Sequence, residues 1–284
     1  MMVKENSDKI TDQAWGRLYS RLEKDGLVPE EKKPRLIAFR SPAFRWAVSA
    51  AVVVICIVSL WLFRSTDAAN SRMYTLHNGK DSPTLVTMLE DGSVVYLLEH
   101  TSLQYPTRFD AGKREVILHG DAFFEVSGNK NRPFIIDAGT ATVEVLGTAF
   151  NVKNMDNAPF SLSVRNGEVK VTLKETGQTV NVGAGESVQV VKGLLNLEKK
   201  KESEKFSQYM ERIHFKDERL ADVIRIINMN SDSVRLDLAP GLGDRRLNVS
   251  FTGDSPDVMA RLICLALNLD YSRRQNTITI SAFK

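Results

Sequence analysis

The segment "SLSVRNGEVKVTL", Ser161–Leu173, gives the clearest indication of the fold in this 284-residue chain. Two β-branched runs flank Asn166-Gly167, a dipeptide that is preferred in the two-residue turns of β-hairpins. Similar short runs, partly alternating and separated by glycine turns, recur on both sides of it. Many short strands with almost no helical period predict an antiparallel β-sandwich or rolled β-structure over residues 74–192, with Asn166-Gly167 as a hairpin turn.

A different pattern begins after the charged run Lys199–Lys205. The segments "RIHF", "LADVIRIINMN", "VRLDL", "RRLNVSF", "SPDVMARLICLALNL", "DYSRR" and "TITISAF" alternate between the period of strands and that of helices. They predict a small α+β domain over residues 212–284, in the order β-α-β-β-α-β-β, with two helices on one sheet face. Residues 193–211 are expected to be a linker.

Local signals mark the ends of these helices. Asp217 and Ser255 are plausible N-caps, and Pro256 would occupy the first helical position. "TITISAF" and "RRLNVSF" are candidate edge strands. Their backbone groups would either accept a partner strand or be shielded.

The apolar run "WAVSAAVVVICIVSLWLF", Trp46–Phe63, predicts a single transmembrane helix. At about 1.5 Å per residue it would be roughly 27 Å long, close to a hydrocarbon core of about 30 Å. Arg45 and Trp46 precede or open the run, and Trp61 and Arg64 lie at its other end, as is typical of membrane interfaces. A cleaved signal peptide and a soluble core helix are the alternative interpretations.

Basic residues predict the orientation of this span. Five of them precede it within a short stretch that carries no acid after Glu31, namely Lys32, Lys33, Arg35, Arg40 and Arg45. The basic side of a span normally stays in the cytoplasm. We therefore expect an inner-membrane protein with residues 1–45 in the cytoplasm, a linker over 64–73, and all that follows exported to the periplasm.

The segment "SDKITDQAWGRLYSRLEKDG" predicts one amphipathic helix between Ser7 as N-cap and Gly26 as the terminating residue. Its apolar face is centred on four side chains: Trp15, Leu18, Tyr19 and Leu22. A single helix of this length is marginal alone in water. It would either fray or lie on the membrane surface, or dock its aromatic face in a partner's groove.

Several functional classes find little support. A net charge of +3 is too small to indicate direct binding of nucleic acid, and two cysteines provide no disulfide framework. His119, Asp121 and Glu125 are the one cluster of metal-ligand types, but they lie within one predicted strand and turn and lack the His-X-His pair expected of a cupin-like metal site. "GAGES" is followed by a strand rather than by a helix that could cradle phosphate. We expect neither a cofactor nor an enzyme.

Four ordered motifs carry a family resemblance: "LEDGSVVYLLEHTSLQYPTRF", "REVILHGDAFFEV", "RPFIIDAGTATVEVLGTAFNV" and "VRNGEVKV". Over residues 74–191 the chain resembles the periplasmic domain of the FecR family, transmembrane regulators of extracytoplasmic-function sigma factors. The segment "AWGRLYSRLEKD" is similar to their cytoplasmic part. Residues 212–284 resemble the C-terminal domain of relatives in Bacteroides-type bacteria, and the short domain that begins secretins and signalling outer-membrane receptors.

The resemblance implies an anti-sigma factor. The helix around Trp15 would hold the sigma factor at the inner membrane. The C-terminal domain would receive a signal from the N-terminal domain of a TonB-dependent outer-membrane receptor, and envelope proteases would then release the sigma factor. An anchored periplasmic scaffold without a sigma partner is the alternative, and an exported enzyme is a third class.

The resemblance implies one set of candidate residues, and the charges of the C-terminal segment give another. Some relatives are thought to cleave themselves at a Gly-Thr bond, which makes Gly147-Thr148 a candidate for an N–O acyl shift. The other interpretation is a glycine in a tight turn followed by a strand threonine. Four arginines would either form a basic patch for an acidic receptor domain or be solvated charges: Arg245, Arg246, Arg273 and Arg274.

Overall fold

A computed structural model describes residues 14–26, 54–56, 58–59, 72–156, 158–199, 204–231 and 233–283. The strands are β1 (Met73–Asn78), β2 (Thr84–Met88), β3 (Val94–Leu97), β4 (Thr101–Pro106), β5 (Arg114–Glu125), β6 (Phe134–Ala138), β7 (Ala141–Val145), β8 (Ala149–Asn154), β9 (Ser161–Asn166), β10 (Glu168–Leu173), β11 (Thr179–Gly183), β12 (Ser187–Val191), β13 (Leu194–Glu198), β14 (Arg212–Arg219), β15 (Arg235–Leu238), β16 (Arg246–Thr252), β17 (Leu269–Arg274) and β18 (Thr277–Ala282). The helices are α1 (14–24), α2 (Glu204–Glu211), α3 (Leu220–Met229) and α4 (Pro256–Leu267).

The chain divides into two compact units, residues 1–60 and 61–284. In the first unit α1 ends two residues before Gly26, whose φ of 67° lies in the left-handed region, so the predicted helix end is confirmed. The predicted cap Ser7 lies outside the described residues.

The predicted span Trp46–Phe63 lies mostly outside the described residues, as do Arg45, Trp46, Trp61 and Arg64. Within it, residues 54–56 and 58–59 are helical and exposed. No helix in the described part of the chain is long and apolar enough to cross a membrane.

Strand β5 belongs to two sheets and organises the second unit. Its first half pairs with β4 and β6, and its second half pairs with β3 and β8. The change of sheet occurs at Gly120, where φ is 115° and a Cβ atom would lie 2.6 Å from the backbone of Thr101. Glycine therefore bends the strand where another residue would clash. The runs "REVILHG" and "FFEVSG", predicted as two strands, are one.

The two sheets form a sandwich, here defined as residues 72–199. Among the described strands, the first sheet has the order β1-β4-β5-β6-β7-β10-β11, and the second begins β13-β12-β9-β8-β5-β3-β2. Alternate residues of both sheets bury into one apolar core that includes Phe124, Phe134 and Phe150. The predicted all-β domain is confirmed and takes the form of a sandwich, but it is not wholly antiparallel, because β5 and β6 pair in parallel.

The predicted hairpin at Asn166-Gly167 is wrong. β9 pairs with β8 and β12 in the second sheet, whereas β10 pairs with β7 and β11 in the first. Gly167, with φ of 89°, packs so closely on Thr148 that a Cβ atom would lie 2.6 Å from its methyl group. The chain crosses from one sheet to the other here, and both strands still bury alternate side chains in the same core.

The C-terminal module, defined as residues 204–283, has the predicted order of strands and helices from Arg212 onward, and helix α2 precedes them. Its strands do not form one sheet, however. β14 pairs in parallel with β2, and β16 pairs with β14, so these strands extend the second sheet of the sandwich. β15, β18 and β17 form a third sheet. α3 and α4 contact strands of both sheets and therefore lie between them, which corrects the expectation of two helices on one face.

Residues 193–211, predicted as a linker, contain β13 and α2. Phe206 and Tyr209 of α2 are buried against Phe123 of the sandwich, with ring centroids 5.4 and 5.5 Å from the Phe123 ring. The charged run that suggested a linker ends where this helix begins. The apolar side chains of α2 cover the outer face of the second sheet. They join a second core, which the sandwich and the C-terminal module share.

The two predicted helix caps differ in outcome. Ser255 caps α4, accepting a hydrogen bond from the backbone N–H of Val258, and Pro256 is the first helical residue. Asp217 does not cap α3, because β14 continues to Arg219 through an irregular register. Asp217 lies in that irregular stretch with φ of 53°.

We expect Phe123→Ala to destabilise residues 61–284 by about 3–5 kcal/mol, because the ring is fully buried in the second core and a cavity would remain. Urea unfolding followed by circular dichroism measures this. Ile117→Ala in the same strand is the control, since that side chain is 43% exposed and its loss should cost less than about 1 kcal/mol. Equal losses in both variants would contradict the two-core description.

Candidate functional site

The first candidate site is the apolar face of α1. Trp15, Leu18 and Tyr19 are 58%, 47% and 62% exposed, and Leu22 is half-buried. Their spacing places them on one face of the helix, while Arg17 and Arg21 lie on the opposite face. An exposed Trp and Tyr one turn apart provide the large, stiff contact area that partner grooves bury. The sequence predicted this face because helical spacing alone defines it.

A buried polar cluster joins α2 to the sandwich. The Tyr209 hydroxyl donates to Asp121 Oδ1 at 2.5 Å and accepts a hydrogen bond from Asn151 Nδ2 at 3.1 Å. Lys153 Nζ lies 2.9 Å from the other carboxylate oxygen of Asp121. Burial and the nearby carboxylate raise the pKa of Tyr209 well above its ordinary value, so the hydroxyl stays protonated as a donor.

A second polar cluster joins α3 to the sandwich. The Tyr96 hydroxyl donates to Glu125 Oε2 at 3.2 Å and accepts from Asn230 Nδ2 at 3.1 Å. Arg165 pairs with the other oxygen of Glu125 at 2.5 Å. Neither cluster was predicted from the sequence. Their one signal is the presence of Asp121 and Glu125 in the otherwise apolar second half of β5, residues 120–125.

His119, Asp121 and Glu125 are not brought together. His119 is exposed, with its Nε2 atom 3.6 Å from Asp156, whereas Asp121 and Glu125 bind the different tyrosines described above. In the described ranges no three His, Cys, Asp or Glu side chains are grouped so as to hold a metal ion.

Gly147-Thr148 lines a cleft of about 250 Å³ between the sandwich and α3, with Arg225 on the opposite wall. A Cβ atom on Gly147 would lie 2.6 Å from the Cα atom of Gly128, so a glycine is needed for this close approach. The buried Thr148 hydroxyl donates to the Glu168 carbonyl at 3.4 Å. These contacts account for both residues by packing, and self-cleavage at this bond stays a prediction.

The four candidate arginines lie at the ends of two strands. Arg245 and Arg246 precede or open β16, and Arg273 and Arg274 end β17. Three of them already have partners within the module. Arg245 donates to the Leu267 carbonyl at 3.2 Å, Arg246 to the Asp217 carbonyl at 2.6 Å, and Arg273 to the Asp257 carboxylate.

The two candidate edge strands differ in position. "TITISA" is β18, which lies between β15 and β17 and therefore has no free edge. "RLNVSFT" is β16, the last strand of the second sheet among the described residues. Buried and more exposed residues alternate along both strands, so the sequence pattern does not show which one is an edge. β18 is an inner strand because β15, which is distant in sequence, pairs with it.

A known protein family and two solved structures are similar to this chain. The family model described as FecR protein matches residues 76–170, which run from β1 into β10. Two crystal structures of a candidate anti-sigma factor from Parabacteroides distasonis ATCC 8503 are similar at 24% and 23% identity. They cover 74% and 75% of this chain and 100% of their own, each with a TM-score of 0.46. Among curated proteins, none matches this chain.

The matched segment contains the Gly120 bend and strands β4 to β7 of the first sheet, with parts of β1 and β10. Residues 76–170, less than half of the chain, are therefore similar to the FecR family.

Proposed function

We propose that this protein is an anti-sigma factor that binds an extracytoplasmic-function sigma factor through α1. The supporting observation is the combination of an exposed aromatic face on α1 with a segment similar to the FecR family in the same chain. Regulation by binding needs neither a cofactor nor a catalytic centre. We accordingly assign no enzymatic reaction to it.

The sigma factor would bury the apolar face of α1. Each large apolar side chain that becomes fully buried contributes about 1.5–3 kcal/mol before the costs of association and ordering. Trp15, Leu18 and Tyr19 are the three most exposed members of this face, and they therefore have the most surface left to bury. Binding would also stabilise a helix that is marginal alone.

The remaining parts of the proposal concern location and signal. Trp46–Phe63 would cross the inner membrane once, with Arg45, Trp46, Trp61 and Arg64 at its interfaces and residues 1–45 in the cytoplasm. The exported C-terminal module would receive a signal from the N-terminal domain of a TonB-dependent outer-membrane receptor. Envelope proteases would then release the sigma factor.

A membrane-anchored scaffold of the periplasm is the alternative. It has the same span and the same exported unit but no sigma partner. The aromatic face of α1 favours the anti-sigma factor, because a scaffold needs no such face in the cytoplasm.

We expect Trp15→Ala to reduce co-purification of the full-length chain with its extracytoplasmic-function sigma factor by at least about tenfold, since an aromatic anchor is lost. Arg17→Ala, on the opposite face of α1, is the control and should bind normally. Binding that survives Trp15→Ala unchanged would remove the anchor assignment. A chain that never binds the sigma factor would favour the scaffold.

Reporter fusions test the proposed topology. Alkaline phosphatase joined after residue 73 should be active, because that enzyme requires export, whereas fusion after residue 40 should give an inactive reporter. Activity at both positions, or at neither, would contradict a single span with its N-terminus inside.

Denaturing electrophoresis tests cleavage at Gly147-Thr148. In an N–O acyl shift the Thr148 hydroxyl attacks the Gly147 carbonyl, the amide becomes an ester with a free Thr148 amine, and water then hydrolyses the ester. Self-cleavage predicts two fragments from the purified chain and one intact band from Thr148→Ala. A single band from both proteins would leave only the packing role.

A further inference from the structure

The cleft of about 250 Å³ that contains Gly147-Thr148 has one wall that core packing does not explain. That wall belongs to α3 and consists of Arg225 and Met229, which lie four residues apart on one face of the helix. Both side chains are exposed, whereas the buried residues of α3 join the second core from its other side. Arg225 and Met229 are therefore free to contact a ligand in the cleft.

The guanidinium of Arg225 has no anionic partner among the described residues. Its one hydrogen-bond acceptor there is the thioether sulfur of Met88, 3.8 Å from Nη1, and a thioether is a weak acceptor. Asp222, one turn earlier on α3, lies 3.9 Å from Arg219 instead. Most of the five donors of the Arg225 guanidinium thus remain for a ligand.

The acidic groups beside this guanidinium are already neutralised. Glu125 is the one acidic residue among the described residues that line the cleft, and its carboxylate pairs with Arg165 at 2.5 Å. Asp91 adjoins the cleft, but its carboxylate pairs with the buried guanidinium of Arg114 at 2.7 Å. The charge of Arg225 is therefore uncompensated, and a cleft lined by such a charge attracts anions.

The wall that belongs to the sandwich presents backbone to a ligand. Gly92, Gly128 and Gly147 line it, and residues without a Cβ atom let a ligand approach the backbone closely. Gly92 also leaves room for Arg225, because a Cβ atom there would lie 3.0 Å from Nη1 and 3.2 Å from Nη2. An anion held by the guanidinium would thus lie beside polar backbone groups.

Apolar side chains restrict the rest of the ligand. Val126, Ala149 and Met229 line the same cleft, so part of what binds there should be apolar. Cavities for drug-sized ligands measure roughly 300–1,000 Å³, and this one is smaller. A guanidinium binds a carboxylate through two parallel hydrogen bonds. This combination fits a small carboxylic acid with a short aliphatic chain.

We propose that this cleft binds a short-chain carboxylate, with the carboxylate on Arg225 and the aliphatic chain against Ala149 and Met229. Such a ligand would contact both the sandwich and α3. Because a ligand that binds only the folded state stabilises it, occupancy would strengthen the junction between the sandwich and the C-terminal module. The site goes beyond the proposed function, since binding of a sigma factor through α1 does not require it.

The test uses the full-length chain in an uncharged detergent, with butyrate as the probe. Binding is followed by broadening of the butyrate NMR signals. We expect saturable binding that weakens at least about tenfold when butyramide replaces butyrate, because the neutral amide forms no charge-assisted pair. Arg225→Gln should weaken butyrate binding by at least about tenfold for the same reason. Butyrate should also raise the unfolding temperature of the natural chain and not that of Arg225→Gln.

Arg261→Gln is the matched control. Arg261 is an exposed arginine of α4 that does not line the cleft, so this variant should bind butyrate normally. Circular dichroism checks that both variants are folded, as expected for exposed positions. Three results would each overturn the proposal: no saturable binding, equal binding of butyrate and butyramide, or equal affinity of the two variants.

Two further measurements test the class of ligand. Displacement of butyrate by an equal concentration of sulfate would show a general anion site and overturn the carboxylate assignment. Met229→Ala should reduce the preference for butyrate over acetate, because the aliphatic chain loses an apolar contact. An unchanged preference would contradict the proposed orientation. None of these measurements involves α1 or a sigma factor, so failure of this site remains distinguishable from failure of the proposed function.

Discussion

The second half of β5 has both faces buried, and the rest of the unit formed by residues 61–284 depends on this constraint. Phe124 lies in the core of the sandwich and Phe123 lies in the second core with α2. A strand whose two faces are both apolar cannot lie at a surface without exposing one of them. The C-terminal module is therefore the cover for a face of the sandwich, and separating the two would expose Phe123.

The polar groups between the sandwich and the C-terminal module determine the docking position of the module more than they add to stability. Asp121 and Glu125 each bind a buried tyrosine hydroxyl, and each also pairs with a base of the sandwich, Lys153 or Arg165. Buried charges are costly unless they are fully paired, so a shifted docking position would leave a carboxylate without its partners. The apolar core supplies the attraction, and these contacts select one arrangement.

Local patterns predicted the C-terminal module better than the sandwich. Alternation, helical period and the Ser255-Pro256 cap each act within one turn or strand, and the predicted order of elements was confirmed. Asn166-Gly167 failed because alternation is the same whether a chain folds back in one sheet or crosses to another. The apolar runs "SVVYLL" and "DAFFEV" were the available signal for strands buried on both faces, and thus for the missing cover.

The candidate sites also differ in whether local sequence patterns could predict them. The face of α1 follows from the spacing of four residues, so the sequence sufficed to predict it. The close approach of Gly147 to Gly128 and the contact of Tyr209 with Asp121 join residues far apart in the chain. No spacing rule links such pairs, and α2 was hidden by the charged run that precedes it.

The shared sheet also limits how a signal could pass. β16, β14 and β2 form a continuous hydrogen-bonded series that joins the C-terminal module to the sandwich. Bending that series at the β2–β14 pair would break its ladder and expose the second core, including Tyr96 and Phe215. A hinge between sandwich and module is therefore unfavourable. In the proposed function, a docked partner would act on the exported unit as a whole, by displacing it or by making it a substrate for proteolysis.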